Sequence, residues 1–381
     1  MRRRGVIAGA GLRVLLVGGG AAYRMATTGT PARMIGGGTT PWALAVDPHS
    51  GHAFVMDRGT DGNGTPTGAG HVRMLDLRDG TVLRTISVGA DPRAIAVDPT
   101  AGRVLVANDD ARVSILDART GAPVRTIRVG MEPRAIAVDT RTGRAFVVDV
   151  GDGTIVMLDV RRGTSLHTTH LPIDAFRASA TVDERAGRVV VVRTGASGGG
   201  EVSFLDARSG RLVRTTPLGG YVGRVAVDGD GHAYVTGSDG VRVLDTRNGR
   251  VLRTLALGDG ALAVAVDPRR GRLFIARRCP VASGSQGVGW SVATGPGSVS
   301  VLDTRDWQVV RTVVVGVMPV SLSIDEGTGR VAIVDAGGCV AVPDPWGWLP
   351  PDLRRRLSFL PQDAPAPHIV PGGVTVLDVG S

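Results

Sequence analysis

Residues 92–130 read PRAIAVDPTAGRVLVANDDARVSILDARTGAPVRTIRVG, and this stretch decides the fold. It divides into four short runs: Ala94–Val97, then Arg103–Ala107 after a DPTAG turn, Arg112–Leu116 after a short polar loop, and Val124–Val129 after an ARTGA turn. Each run is about 4–7 residues, rich in Val and Ile, and bounded by Gly, Pro, Asp or Asn, the pattern of short strands joined by tight turns. Gly130 closes the unit, and Pro133-Arg134-Ala135-Ile136-Ala137-Val138-Asp139 opens the next.

Two aspartates mark every unit. The first strand ends at an AVD-type position: Asp47, Asp98, Asp139, Asp183, Asp228, Asp267 and Asp325. The third strand ends at an LD-type position: Asp76, Asp117, Asp159, Asp206, Asp245, Asp303 and Asp378. The step from an LD aspartate to the next AVD aspartate is 22 residues five times and 24 once. The step from AVD to LD within a unit ranges from 17 to 53. All the length variation therefore lies between the second and third strands. Four strands per unit at a period near 40 is the pattern of a propeller blade, and only a closed ring of blades buries both faces of every sheet. The sequence predicts an all-β, seven-bladed β-propeller with four antiparallel strands per blade. One face of the disc carries the short AVD and LD turns. The other carries the blade-to-blade connectors and every insertion, and variable loops on a rigid frame are where function concentrates. The last unit has a third strand but no fourth. Thr30–Pro41 aligns without gaps on Ala122–Pro133, so the N-terminal strand is expected to complete the last blade.

The units resemble those of the YVTN β-propeller repeat family. Tyr234-Val235-Thr236-Gly237 is similar to the family's motif at the second strand, as is Val104-Leu105-Val106-Ala107-Asn108, and the VGxxPRAIAVD and VSILDxRTG stretches fit the same pattern. The resemblance covers residues 30–381. It implies the fold strongly and a function weakly, because the family includes secreted proteins and lactonase-type enzymes share the architecture. No Trp-Asp strand ends are present; Asp306-Trp307 has the reverse order.

The chain has 44 basic residues, all arginine, and a formal charge of +9. Such a charge draws acidic partners, nucleic acid included. Most arginines recur at fixed blade positions, such as Arg84, Arg125, Arg214, Arg253 and Arg311 on the fourth strand, which reads as a solvated rim rather than a nucleic-acid surface. Residues 1–29 fall outside the repeat. Met1-Arg2-Arg3-Arg4 precedes a mostly apolar Gly5–Ala22 interrupted by Arg13, with small residues at Gly20-Ala21-Ala22, which resembles a secretory signal or membrane anchor. A disordered basic leader is the other reading. The expectation is a leader at 1–29, one propeller domain at 30–381, and an exported, extracytoplasmic or membrane-attached monomer.

Four sets of candidate site residues follow. Ten residues past the AVD aspartates lie Asp57, Asn108, Asp149, Arg193, Arg277 and Asp335. Asp57, Asn108, Asp149 and Asp335 come from neighbouring blades and could hold Ca²⁺ or Mg²⁺, or could cap their loops. Five residues before the AVD aspartates lie Trp42, Arg93, Arg134, Ala178, Gly223, Leu262 and Val320, with Arg177 and Arg224 one residue off that register. This predicts a basic arc over blades two to five at the channel mouth, suited to a carboxylate or phosphate or to pairing between blades. The long loops of blades six and seven, residues 278–297 and 336–373, carry Trp290, Trp346 and Trp348 as candidate partner anchors, beside the basic run Leu353–Leu357. The same loops hold the only two cysteines, Cys279 and Cys339, both a few residues past a second strand on adjacent blades, which predicts a disulfide in an oxidising compartment. No GxSxG elbow, P-loop, HExxH or Cys-rich zinc pattern is present, and the seven histidines show no ligand spacing. The leading expectation is a non-enzymatic exported propeller, without cofactor, that binds a protein partner or an anionic ligand through its variable face. The alternative is a propeller hydrolase or lyase using a divalent metal at the acidic arc.

Overall fold

Alternation of apolar residues with short polar turns gives thirty-two strands and no helix among the described residues. The computed structural model describes residues 32–35, 41–59, 70–171, 175–195, 197–258, 260–278, 281–282, 292–293, 296–340, 368–370 and 373–378. Twenty-eight of the strands group into seven four-stranded antiparallel sheets, the seven blades, and the first five blades run in consecutive chain order. Blade one spans residues 41–87, blade two 92–128, blade three 133–170, blade four 175–217 and blade five 222–255. Blade six is built from Ala261–Asp267, Arg272–Arg277, Gly297–Asp303 and Val309–Val315.

Blade seven closes the ring as the sequence predicts. Its sheet runs Pro319–Asp325, Arg330–Asp335, Gly373–Asp378, and then Ala32–Ile35 from the N-terminal end. Ala32 pairs with Leu377, Arg33 with Val376, Met34 with Thr375 and Ile35 with Val374.

Burial falls from the ring's interior to its rim because side chains alternate between the two faces of each sheet and both faces of the middle strands meet a neighbouring blade. The second strand is buried almost throughout, as in Arg144–Asp149, whereas the fourth strand is largely exposed, as in Pro123–Arg128. The core divides into seven clusters, one for each blade–blade interface. Phe54, Met56, Val72 and Met74 of blade one meet Val104, Val106 and Leu116 of blade two. At the closure, Leu44, Val55 and Leu75 of blade one meet Ala332, Val334, Val374 and Val376 of blade seven.

The AVD and LD aspartates cap the turns of the uniform face. Asp117 Oδ1 accepts from the N–H groups of Arg119 (3.1 Å) and Thr120 (2.9 Å). Asp325 Oδ1 accepts from those of Gly327 (3.0 Å) and Thr328 (3.3 Å). An Asp before a tight turn can satisfy backbone donors that a two- or three-residue loop leaves unpaired.

The opposite face carries one feature without precedent in the repeat. Val281–Ala282 and Val292–Ala293 from the blade six loop join Gly338–Val340 and His368–Val370 from the blade seven loop in a separate small sheet. Ala293 pairs with Val340 in parallel, and Cys339 pairs with Ile369. Cys279, Trp290, Trp346, Trp348, the run 353–357 and the leader 1–29 lie outside the described residues.

Candidate functional site

Every first strand enters its blade through an irregularity. The ladder between first and second strands shifts register between Pro41 and Ala43, Pro92 and Ala94, Pro133 and Ala135, Ala175 and Arg177, Val222 and Val225, Ala261 and Ala263, and Pro319 and Ser321. The bulged residues are Trp42, Arg93, Arg134, Phe176, the pair Gly223–Arg224, Leu262 and Val320. A bulge re-aims its side chain relative to the ladder. Because the first strand begins level with the end of the second, these residues ring the channel mouth on the variable face. The sequence register placed Ala178 in this ring, but Ala178 sits in the regular ladder opposite Arg193, and Phe176 takes the bulge. The reason is length: the first strand of blade four runs Ala175–Asp183, nine residues against seven in blades one to three.

The arginines of this ring fall into two groups. On blades one to three they are neutralised. Arg58 donates to Asp91 through Nε (2.7 Å) and Nη2 (3.0 Å), and its guanidinium stands 4.9 Å over the Trp42 ring. Arg93 pairs with the same Asp91 and donates to Asp109 Oδ2 at 2.8 Å. Burial works against the charge on Asp109, but Arg93 outweighs it, and the carboxyl is held below its ordinary range. Arg134 pairs with Glu132. On blades four and five the pattern changes. Arg177 Nη1 donates to the Tyr221 hydroxyl at 3.3 Å and lies near the rings of Tyr221 (5.8 Å) and Phe176 (6.0 Å). Arg224 is partly buried and has no carboxylate partner among the described residues. Burial and the charge of Arg177 both push its guanidinium pKa down, while Tyr221 pushes it up.

The oxygen-bearing ring sits just beyond, at the ends of the second strands. Asp149 Oδ2 accepts from Met131 N (2.8 Å) and Glu132 N (2.7 Å), and Oδ1 from Gly151 N (2.9 Å) and Asp152 N (3.2 Å). Asp335 accepts from Met318 N at 3.0 Å and Gly337 N at 2.7 Å. Asp57 Oδ1 accepts from Gly59 N at 3.0 Å, with Arg73 at 3.7 Å from Oδ2. Asn108 donates to Ser114 Oγ at 3.0 Å. The three carboxylates tie the second strand to its own loop, Asp149 and Asp335 also reach the preceding connector, and Asn108 ties the second strand to the third. Among the described residues no group of three or more His, Cys, Asp or Glu side chains is placed to hold a metal ion. Arg193 is 1% exposed and pairs with Glu201 on the adjacent strand. Burial pushes the Asp149 carboxyl up to about 6, with the charge of Asp152 adding to it against the backbone donors.

Comparison with known proteins bears on the fold. Residues 68–222, from the third strand of blade one to the start of blade five, match a family model described as outer membrane protein assembly factor BamB. Among solved structures, hydrazine synthase from Kuenenia stuttgartiensis is similar over 78% of this chain and 93% of that one, at 19% identity and a TM-score of 0.61. At that identity the likeness extends to the propeller alone. No curated protein matches the sequence.

Proposed function

We propose that the protein is an exported, non-catalytic β-propeller of YVTN type that holds a protein partner or an anionic ligand on its variable face. The observation that carries this reading is the small sheet shared by the loops of blades six and seven, which raises a second structured layer on the face where the bulged ring opens. Long loops carried on a rigid scaffold are where binding residues concentrate. The similarity of residues 68–222 to a protein named as an outer-membrane assembly factor supports a protein partner and an extracytoplasmic place. A Cys279–Cys339 disulfide belongs to the same reading. Intact mass before and after alkylation under non-reducing conditions checks it, and two freely alkylated thiols would overturn it.

The test of the variable face replaces residues 341–367 with a short Gly-Ser link and compares capture of partners from the native membrane fraction with that of the full chain. The expected result is loss of capture at an unchanged melting temperature. Retained capture would overturn the reading. The metal-dependent alternative requires Asp57, Asp149 and Asp335 to exchange backbone donors for an ion, with Asn108 beside them. Titration with Ca²⁺, Mg²⁺, Mn²⁺ and Zn²⁺ should leave the melting temperature unchanged, whereas a bound ion at a hundredfold excess over its Kd would add about 2.7 kcal/mol, lost in Asp57→Asn and Asp149→Asn.

A further inference from the structure

We propose that Arg177, Arg224 and Tyr221 form a subsite for the oxyanion of a small amphipathic ligand, a carboxylate or phosphate head on an apolar body. The inference rests on the variable-face reading above and narrows it to blades four and five.

The subsite is set apart from the rest of the arginine ring by its charge balance. Arg58, Arg93 and Arg134 already face Asp91, Asp109 and Glu132, so an incoming anion gains little there. Arg224 faces another cation, Arg177, and a phenol. Arg224 has no counter-ion among the described residues; withdrawing such a charge from water is costly, and a bound anion at the channel mouth relieves it. Tyr221 accepts a hydrogen bond from Arg177, which leaves its own O–H to donate. The Tyr221 hydroxyl also lies 3.5 Å from where a Cβ on Gly223 would stand, so it is shared between Arg177 and the bulge that carries Arg224, with donors suited to the several lone pairs of an oxyanion.

The backbone that presents Arg224 is held in place. Blade five alone has a two-residue bulge, Gly223–Arg224. Thr194 of blade four accepts from Val222 N at 3.1 Å and donates to Val222 O at 2.8 Å. Thr236 of blade five accepts from Arg224 N at 2.8 Å. Both threonines are buried, at 1% and 0% exposure. A Cβ on Gly223 would stand 2.6 Å from Thr236 Oγ1, so the bulge closes on the hydroxyl only because position 223 is glycine. Apolar surface adjoins the donors: the exposed ring of Phe176 lies 6.0 Å from the Arg177 guanidinium. An anionic head with an apolar body matches both.

Titration of the full chain with benzoate, phenyl phosphate and inorganic phosphate, followed by calorimetry, tests the assignment. Benzoate, phenyl phosphate or both should bind saturably and with one site, and inorganic phosphate more weakly than the better of them. Arg224→Ala should weaken binding by about tenfold to a hundredfold, the usual scale for losing charge-assisted hydrogen bonds. Thr236→Val, which keeps the arginine but releases its bulge, should weaken it in the same direction, whereas Arg93→Ala should change it by less than about twofold. Melting temperatures establish that each variant is folded. Equal losses in Arg93→Ala and Arg224→Ala would reduce the effect to attraction by the basic chain and overturn the subsite. So would the absence of saturable binding by either aromatic probe. If that absence accompanied loop-dependent partner capture, the subsite would fall and the variable-face reading would stand.

Discussion

Gly130 and Asp149 work as a pair. Gly130 lies in the connector from blade two to blade three with φ 51°, and any side chain there would collide with the Asp149 carboxylate. The missing Cβ is what lets Asp149 reach across the blade boundary to the N–H groups of Met131 and Glu132. Gly130→Ala should therefore destabilise by about 2–4 kcal/mol, because it adds a steric conflict in the core of a cap to the cost of a left-handed alanine. Gly102→Ala, at φ 62° with open space around it, should cost only about 1 kcal/mol. Urea denaturation of the two variants measures the difference, and equal losses would show that the collision is relieved elsewhere. Asp149 also makes a pH prediction. Its folded-state pKa is raised from 3.8 to about 6, so the stability it contributes belongs to the protonated form. That contribution is full below pH 3.8 and is lost as pH rises through about 6. The side-chain carboxyl ¹³C signal absent from Asp149→Asn should titrate near pH 6, and a midpoint below 4 would show that the four backbone donors dominate. Counting along the repeat located Asp149 and its equivalents. It could not assign their partners, because the donors come from a connector whose path depends on the next blade.

Between blades, the AVD aspartates show how a single side chain couples neighbouring sheets. Asp183 of blade four is completed by Thr246 of blade five, whose hydroxyl donates to Oδ2 at 2.7 Å. Val160 of blade three and Ala207 of blade four occupy the position of Thr246, immediately after the LD aspartate, and neither can donate. The aspartates that they face by the repeat's equivalence, Asp98 and Asp139, are fully buried, and each has an Oδ2 without a partner among the described residues. Burial pushes the Asp98 carboxyl up despite the backbone donors of Ala101 and Thr100. Val160→Thr keeps the shape of the side chain and supplies the missing donor, so it should stabilise the protein by about 1 kcal/mol, the net worth of a typical buried hydrogen bond. The gain should be larger at pH 8 than at pH 4, because the new donor favours the ionised form that burial opposes. Chemical denaturation at both pH values checks the prediction; a loss of stability at pH 8 would mean that the hydroxyl does not reach Asp98. At this scale the sequence is legible wherever strand lengths are constant. The bulged ring was readable in blades one, two, three, six and seven from a fixed offset. It failed in blade four, where two extra residues in the first strand moved Phe176 into the bulge, whereas in blade five the offset pointed to Gly223 and its neighbour Arg224, and the bulge takes both. The charge balance was not legible either: Arg93 and Asp109 are 16 residues apart and meet only because the second strand returns beside the first.

The ring as a whole depends on one strand from the far end of the chain. The alignment of Thr30–Pro41 with the fourth strands made this readable, since a propeller lacking one edge strand has one place to find it. The long loops had no repeat to be read against, and their shared sheet comes only from the structure. Gly373–Asp378 carries Val374 and Leu377, at 0% and 1% exposure, and its outer edge is paired by Ala32–Ile35. Without that partner the strand becomes an open edge beside the interface at which blade seven meets blade one. An unpaired edge of this kind is a template for association with another chain, and the seam it borders is where the circle must stay shut. Deleting residues 1–38 should lower the melting temperature and produce aggregates on size-exclusion chromatography. Deleting residues 1–28 leaves the strand intact and should change neither. The pair of truncations separates the role of the strand from that of the leader. If the longer truncation melts with the full chain and elutes as one species, the ring does not need its N-terminal strand, and the core clusters between blades hold the circle closed by themselves.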